Sequence, residues 1–122
     1  MNMEDTIRRL NLLIVDDDEM ITRALAREMA KHWHSVKAVN RVEQAFAEIA
    51  SGQYHVVLSD WDMPGGGGRA ILDRSHIPVV IHTGGWLETL RRNMNGTIIV
   101  QKPASTKDLL IALHQAAKKS CL

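Results

Sequence analysis

Four short runs in this chain are almost purely aliphatic: residues 12–15 (Leu-Leu-Ile-Val), 56–58 (Val-Val-Leu), 79–81 (Val-Val-Ile) and 98–100 (Ile-Ile-Val). A strand with one wet face alternates polar and apolar side chains, so runs without alternation predict strands buried on both faces. Between them, apolar residues recur at helical spacing. The sets are Ile21, Leu25 and Met29; Val42, Ala45, Phe46 and Ile49; and Leu109, Leu110, Leu113 and Ala117. Each predicts an amphipathic helix with one inward face. Asn40 stands three residues before Glu43, and Ser105 three before Asp108, the spacing of capping boxes at helix starts. Residues 36–39 are interrupted by Lys37 and predict an edge strand with a wetter face.

Alternation of strand and helix points to an α/β fold, a parallel sheet with helices on both faces, rather than to a sandwich or a bundle. At 122 residues and 45% hydrophobic content the chain supports one core, so residues 1–122 are read as a single domain. Fifteen basic against fourteen acidic side chains leave a net charge of +1, which gives no electrostatic case for nucleic acid or for an acidic membrane. No apolar run approaches spanning length. The lone Cys121 has no intrachain partner, which fits a reducing compartment, and residues 1–9 lack the apolar stretch of a secretory signal. A cytoplasmic location is the expectation.

In a parallel sheet flanked by helices, ligands bind beyond the carboxyl ends of the strands. There the sequence places Asp16, Asp17, Asp18 and Glu19; then Ser59, Asp60, Trp61 and Asp62; then His82, Thr83, Gly84 and Gly85; and finally Gln101, Lys102 and Pro103. Crowded carboxylates make each other costly to ionise, so a positive partner is needed. Oxygen ligands with room for water suit Mg²⁺. Lys102 supplies a second positive charge for an incoming phosphoryl oxygen, and the Thr83 hydroxyl a hydrogen bond to another. Phosphoryl transfer onto a carboxylate is the chemistry that needs these parts together.

These residues resemble the receiver domains of bacterial two-component response regulators. The pieces are Leu-Ile-Val-Asp-Asp-Asp at 13–18, Leu-Ser-Asp-Trp-Asp-Met-Pro-Gly at 58–65, His-Thr-Gly at 82–84 and Gln-Lys-Pro at 101–103, in the family's order along nearly the whole chain. The resemblance implies a flavodoxin-like doubly wound sheet of five strands in the order 2-1-3-4-5. It implies Asp60 as phosphoacceptor, with Thr83 and Lys102 holding phosphoryl oxygens. Asp16, Asp17 and Asp60 would bind Mg²⁺ with Asp62, which would act through its backbone carbonyl. The Lys102–Pro103 bond would be cis. A sensor histidine kinase or histidine phosphotransfer protein would donate the phosphoryl group. Such a domain is no conventional enzyme, although it catalyses its own phosphorylation and dephosphorylation. Its output would pass to a protein partner, with a second copy of the chain a further candidate.

Three departures from the family pattern carry expectations of their own. Ile99 stands at a switch position that is usually aromatic. Residues 65–68 are four glycines, which predicts a shortened third helix, since each helical glycine costs about 1 kcal/mol relative to alanine. Residues 86–95 predict a short fourth helix.

Simpler readings stand beside these. Asp18 is expected to cap a helix. His32 and His34 lack further ligands nearby in sequence and read as structural or surface residues. His82 reads as a packed strand-end residue, Trp33 and Trp86 as packing or interface residues, and the methionines as gap fillers. Two other functions compete with the phosphoacceptor. One is a pseudo-receiver, which keeps the fold and signals without phosphorylation. The other is an aspartyl-intermediate hydrolase, because the Asp60-Trp61-Asp62 spacing resembles that of haloacid-dehalogenase-like phosphatases, although in those enzymes the acidic pair comes late in the chain and here it comes first.

Overall fold

A computed structural model describes residues 1–85 and 96–120. The aliphatic runs form β1 (Asn11–Val15), β3 (Val56–Ser59), β4 (Val79–Thr83) and β5 (Ile99–Gln101), and the run broken by Lys37 forms β2 (Ser35–Val39). All pairings are parallel, in the order β2-β1-β3-β4-β5. That is the expected topology, with β2 at the edge. Residues 35–38 alternate between exposed and half-buried, as the lysine in the middle of the strand requires, and Val39 at its end is buried.

The helices are α1 (Met3–Ile7), α2 (Glu19–Met29), α3 (Val42–Ala50), α4 (Gly67–Arg74) and α5 (Thr106–Ser120). Alternation along the strands divides the core in two. Leu12, Ile14, Val56, Leu58 and Val80 pack with Met29 of α2 and with Leu109 and Leu113 of α5. Leu13, Val15, Val57, Val79 and Ile81 pack on the other face with Val42, Ala45 and Ile49 of α3 and Ile71 of α4. Burial of both faces explains why the strands carry almost no polar residue before their last position.

Helix starts follow the sequence in two cases and depart from it in one. Asp18 caps α2 by accepting from the backbone N–H groups of Met20 and Ile21. Ser105 accepts from the N–H of Asp108 at 3.0 Å. The Asn40 capping box does not form. The residue at the N-cap of α3 is Arg41, whose side chain makes no capping bond. The Asn40 amide instead donates to the Asp16 carbonyl at 2.9 Å and to Thr22 Oγ1 at 3.0 Å, so a tertiary contact takes the side chain a local rule assigns to the helix.

The helix α1 is an element the sequence reading missed. Asn2 caps it, and its Ile7 is fully buried in the α2–α5 face of the core. The expected short third helix is α4, whose eight residues begin inside the glycine run. The expected short fourth helix, with Trp86, lies outside the described residues, as does Cys121. The Lys102–Pro103 bond is cis.

Candidate functional site

Four of the five strands, β1, β3, β4 and β5, contribute residues at or just past their carboxyl ends. Ile14, Leu58 and Val80 all pack on the α2–α5 face, and so does Val100. Two residues further on, the same face continues with Asp16, Asp60, His82 and Lys102, because strand side chains repeat with a period of two. Leu58 pairs with both Ile14 and Val80, which sets Asp16, Asp60 and His82 side by side across the sheet. A row of aliphatic side chains therefore gives way, one step up, to a row of ionisable ones.

Asp16 is 2% exposed and held on every side. Its N–H donates to the Val39 carbonyl and its own carbonyl accepts from Asn40. One carboxylate oxygen accepts from the Asp18 N–H at 2.9 Å, and the other meets Lys102 Nζ at 2.8 Å. Asp60 Oδ1 accepts from the Trp61 N–H at 2.8 Å and lies 3.4 Å from the same Nζ. Lys102 thus reaches from β5 across β4 and β3 to serve two carboxylates. Burial, and then the charge of Asp16, raise the Asp60 pKa, while Lys102 and the Trp61 N–H offset part of that rise. Burial alone would lower the Lys102 pKa, but its bond to Asp16 and the two negative charges outweigh it and the pKa is raised.

Asp16, Asp17 and Asp60 each offer a carboxylate oxygen within 4.8 Å of the others. Three carboxylates against one ammonium leave surplus negative charge, and the donors are all oxygen. That set fits a hard divalent cation such as Mg²⁺. Asp62 is not in this cluster. It is exposed, and its carboxylate lies toward Gly85, where an added Cβ would stand 3.8 Å from Asp62 Oδ2 and 3.4 Å from Thr83 Oγ1. Thr83 is buried, and its hydroxyl accepts from the Gly85 N–H at 3.1 Å; its carbonyl accepts from the Lys102 N–H at 2.8 Å. The tip of β4 is thereby tied to the chain that carries the lysine.

Several residues shape the site in ways the sequence did not indicate. Gly67, at φ +59°, sits so close to the Trp61 carbonyl oxygen that any side chain would collide with it, and a Cβ on Gly68 would stand 2.5 Å from the Asp60 carbonyl oxygen. The glycine run is therefore a close backbone approach that seats α4 directly on the Asp60–Trp61 segment. Ser59 donates to the Asp60 carbonyl at 2.9 Å. His82 is a packed strand-end residue, as expected, at 6% exposure. Its Nε2 finds no hydrogen-bond partner among the described residues, a situation that costs about 1–3 kcal/mol. Burial, with Lys102 beside it, lowers the His82 pKa to about 4, against a smaller opposing pull from Asp16. His32, by contrast, faces Glu4 of α1 at 3.7 Å, remote in sequence from all these groups.

The family model described as response regulator receiver domain matches residues 12–114. The chain is 28% identical over 120 residues to the uncharacterized transcriptional regulatory protein YkoG of Bacillus subtilis, covering 90% of this chain and 52% of that protein. It is 32% identical over 71 residues to the sensory/regulatory protein RpfC of Xanthomonas campestris pv. campestris, covering 58% of this chain and 10% of that protein. The chain thus spans about half of the one relative and a tenth of the other. Among solved structures, a CheY-like response regulator receiver domain protein from Methanospirillum hungatei superposes with a TM-score of 0.80 at 22% identity, covering 92% of this chain and 96% of that one. The signal receiver domain of an HD domain-containing protein from Pseudomonas fluorescens gives 0.80 at 25% identity, with 93% and 98% covered.

Proposed function

We propose, because this chain belongs to the response regulator receiver domain family, that Asp60 accepts a phosphoryl group from a phosphohistidine and that the change switches binding to a protein partner. The family is a signalling module of two-component systems and not a conventional enzyme. The observation that carries the reading is Lys102 Nζ, placed 2.8 Å from Asp16 and 3.4 Å from Asp60 in a cluster of three carboxylates.

In the forward step an Asp60 carboxylate oxygen attacks phosphorus, the P–N bond to the donor imidazole breaks, and an acyl phosphate forms. Oδ1 is engaged by Trp61 and Lys102, which orients Oδ2 as the attacking oxygen. Lys102 and the Thr83 hydroxyl receive phosphoryl oxygens. Hydrolysis reverses the capture: water attacks phosphorus, the P–O bond to Asp60 breaks, and carboxylate and inorganic phosphate are released. Mg²⁺, held by Asp16, Asp17 and Asp60 with the Asp62 carbonyl, would neutralise the charge on the phosphoryl oxygens. The donor is a sensor histidine kinase or a histidine phosphotransfer protein. Residues 1–122 act as one domain in the cytoplasm, with output by protein contact; among the described residues no helix is long and apolar enough to cross a membrane.

The test is labelling with a small-molecule phosphodonor and Mg²⁺. The natural chain is expected to take up one phosphoryl group and Asp60→Asn none. Uptake that persists in Asp60→Asn would remove Asp60 from this role. A partner that binds the phosphorylated and unmodified chain equally would favour the pseudo-receiver.

A further inference from the structure

We propose that His82 is a positioning residue of this site, whose imidazole gains the hydrogen bond it now lacks when a phosphoryl group occupies Asp60, and thereby favours the phosphorylated state. The inference rests on the function proposed above and adds a residue which that reading does not use.

Two observations carry it. The first is register. Leu58 pairs with Val80 and Ser59 with Ile81, so the register continued one residue past the end of β3 sets Asp60 opposite His82, and His82 pairs with Val100, one same-face step below Lys102. Lys102 must extend past the end of β4 to reach Asp16 at 2.8 Å, which brings its charge to the imidazole. The second is the unpartnered Nε2 on a side chain that is 6% exposed. Protein interiors rarely leave such an atom unpaired without a reason.

The only other buried side-chain nitrogen of this kind among the described residues is Trp33 Nε1. Its indole buries a large apolar surface in the core beside Ile7 and Met29, which accounts for its position without a partner. An imidazole brings far less apolar surface, and the positions below His82 on this face are filled by Val80 and its aliphatic neighbours. A leucine at 82 would suit the resting protein better. The imidazole has two polar ring nitrogens, and Nε2 is the one left without a partner. When a phosphoryl oxygen draws Lys102 away from its resting carboxylates, the groups around His82 rearrange and a partner comes within reach of Nε2. A residue unpaired in one state and paired in the other shifts the equilibrium toward the second by its differential interaction.

The experiment compares the natural chain, His82→Leu and His82→Asn, using beryllofluoride with Mg²⁺ as a phosphoryl analogue. Thermal unfolding without the analogue is expected to show His82→Leu at least as stable as the natural chain. Titration is expected to show its affinity for beryllofluoride reduced roughly tenfold, equivalent to about 1.4 kcal/mol. His82→Asn, which restores a polar group, is expected to recover part of that loss. In the natural chain the ¹⁵N resonance of His82 Nε2 is expected to move on addition of the analogue, and to stay fixed in Asp60→Asn. Equal affinity in the natural chain and His82→Leu, with an unmoved resonance, would overturn the role of His82 and leave the phosphoacceptor reading intact. No analogue binding by the natural chain would remove the premise, and both readings with it.

Discussion

A single added methyl group at Gly67 should distort the Asp60–Trp61 segment more than one at any other glycine turn in the chain. The backbone there is left-handed, at φ +59°, and an alanine Cβ would collide with the Trp61 carbonyl oxygen. Forcing an L residue into that conformation costs about 1–2 kcal/mol. Overpacking against backbone that cannot step aside adds about 1–3 kcal/mol. Gly67→Ala is therefore expected to lose about 2–5 kcal/mol, a large share of the ~5–15 kcal/mol typical of a domain this size. Gly52 supplies the control, because its φ is +76° and nothing lies within 4 Å of an added Cβ. Gly52→Ala should show only the conformational part, about 1–2 kcal/mol. Gly68→Ala supplies the converse. It meets the Asp60 carbonyl oxygen at 2.5 Å without a left-handed backbone, and the collision is offset by up to about 1 kcal/mol of helix propensity. Urea unfolding followed by circular dichroism gives all three values. If Gly67→Ala proves no less stable than Gly52→Ala, the close approach of α4 to the Asp60–Trp61 segment is wrong.

Lys102→Met leaves Asp16 and Asp60 adjacent with no cation between them, and breaking such a buried pair costs about 3 kcal/mol. Added Mg²⁺ should recover part of the loss, so thermal unfolding with and without the ion should show a larger metal-dependent rise in the variant than in the natural chain. Asn40→Ala removes two bonds that hold the Asp16 backbone and Thr22, so it should cost about 1–3 kcal/mol and weaken Mg²⁺ binding; Ser105→Ala, the loss of a helix cap, should cost about 1 kcal/mol and leave Mg²⁺ binding unchanged. For pH dependence, His82 takes up its proton near 6.5 in the unfolded chain but only near about 4 in the folded one. The buried imidazole therefore carries no protonation penalty above pH 6.5 and a growing one as pH falls toward 4, up to about 3 kcal/mol. Asp60 works in the opposite sense. Its folded pKa is raised by burial and by Asp16, so the folded chain gains relative stability as pH falls through that value. Stability measured between pH 7 and 4 should fall less steeply in His82→Leu, and more steeply in Asp60→Asn, than in the natural chain.

The sheet was legible because burial on both faces removes polar residues from four strands and leaves an unbroken aliphatic signal in each. The site was legible because those strands end on ionisable residues, and the family pattern assigns each one a place. What escaped was tertiary. The Asn40 spacing matches a capping box, but its amide is claimed by a carbonyl 24 residues away in sequence. A five-residue helix such as α1 is too short to display a period, and it is anchored by the burial of Ile7 rather than by propensity. The glycine run signalled a loop. That two of its members seat a helix against backbone carbonyls depends on distances no spacing rule contains. His82 was within reach of sequence reasoning, because parity with Val80 already places it on the face of Asp60.

The site also divides into parts that are fixed and one that can move. Asp16 is bound through its N–H to Val39, through its carbonyl to Asn40, and through one carboxylate oxygen to the N–H of Asp18. Asp60 donates its own N–H to the Val15 carbonyl at 2.8 Å and is backed by Ser59 and Trp61. Backbone bonds of this kind hold both acids in place whatever arrives at the surface. Lys102 is tethered at its backbone to Thr83, but its ammonium sits at the end of four rotatable carbons and divides itself between 2.8 Å and 3.4 Å contacts. If Asp60 accepts a phosphoryl group as proposed, an incoming phosphoryl oxygen would compete with Asp16 for a cation that is anchored only at its backbone, while both acids stay held by theirs.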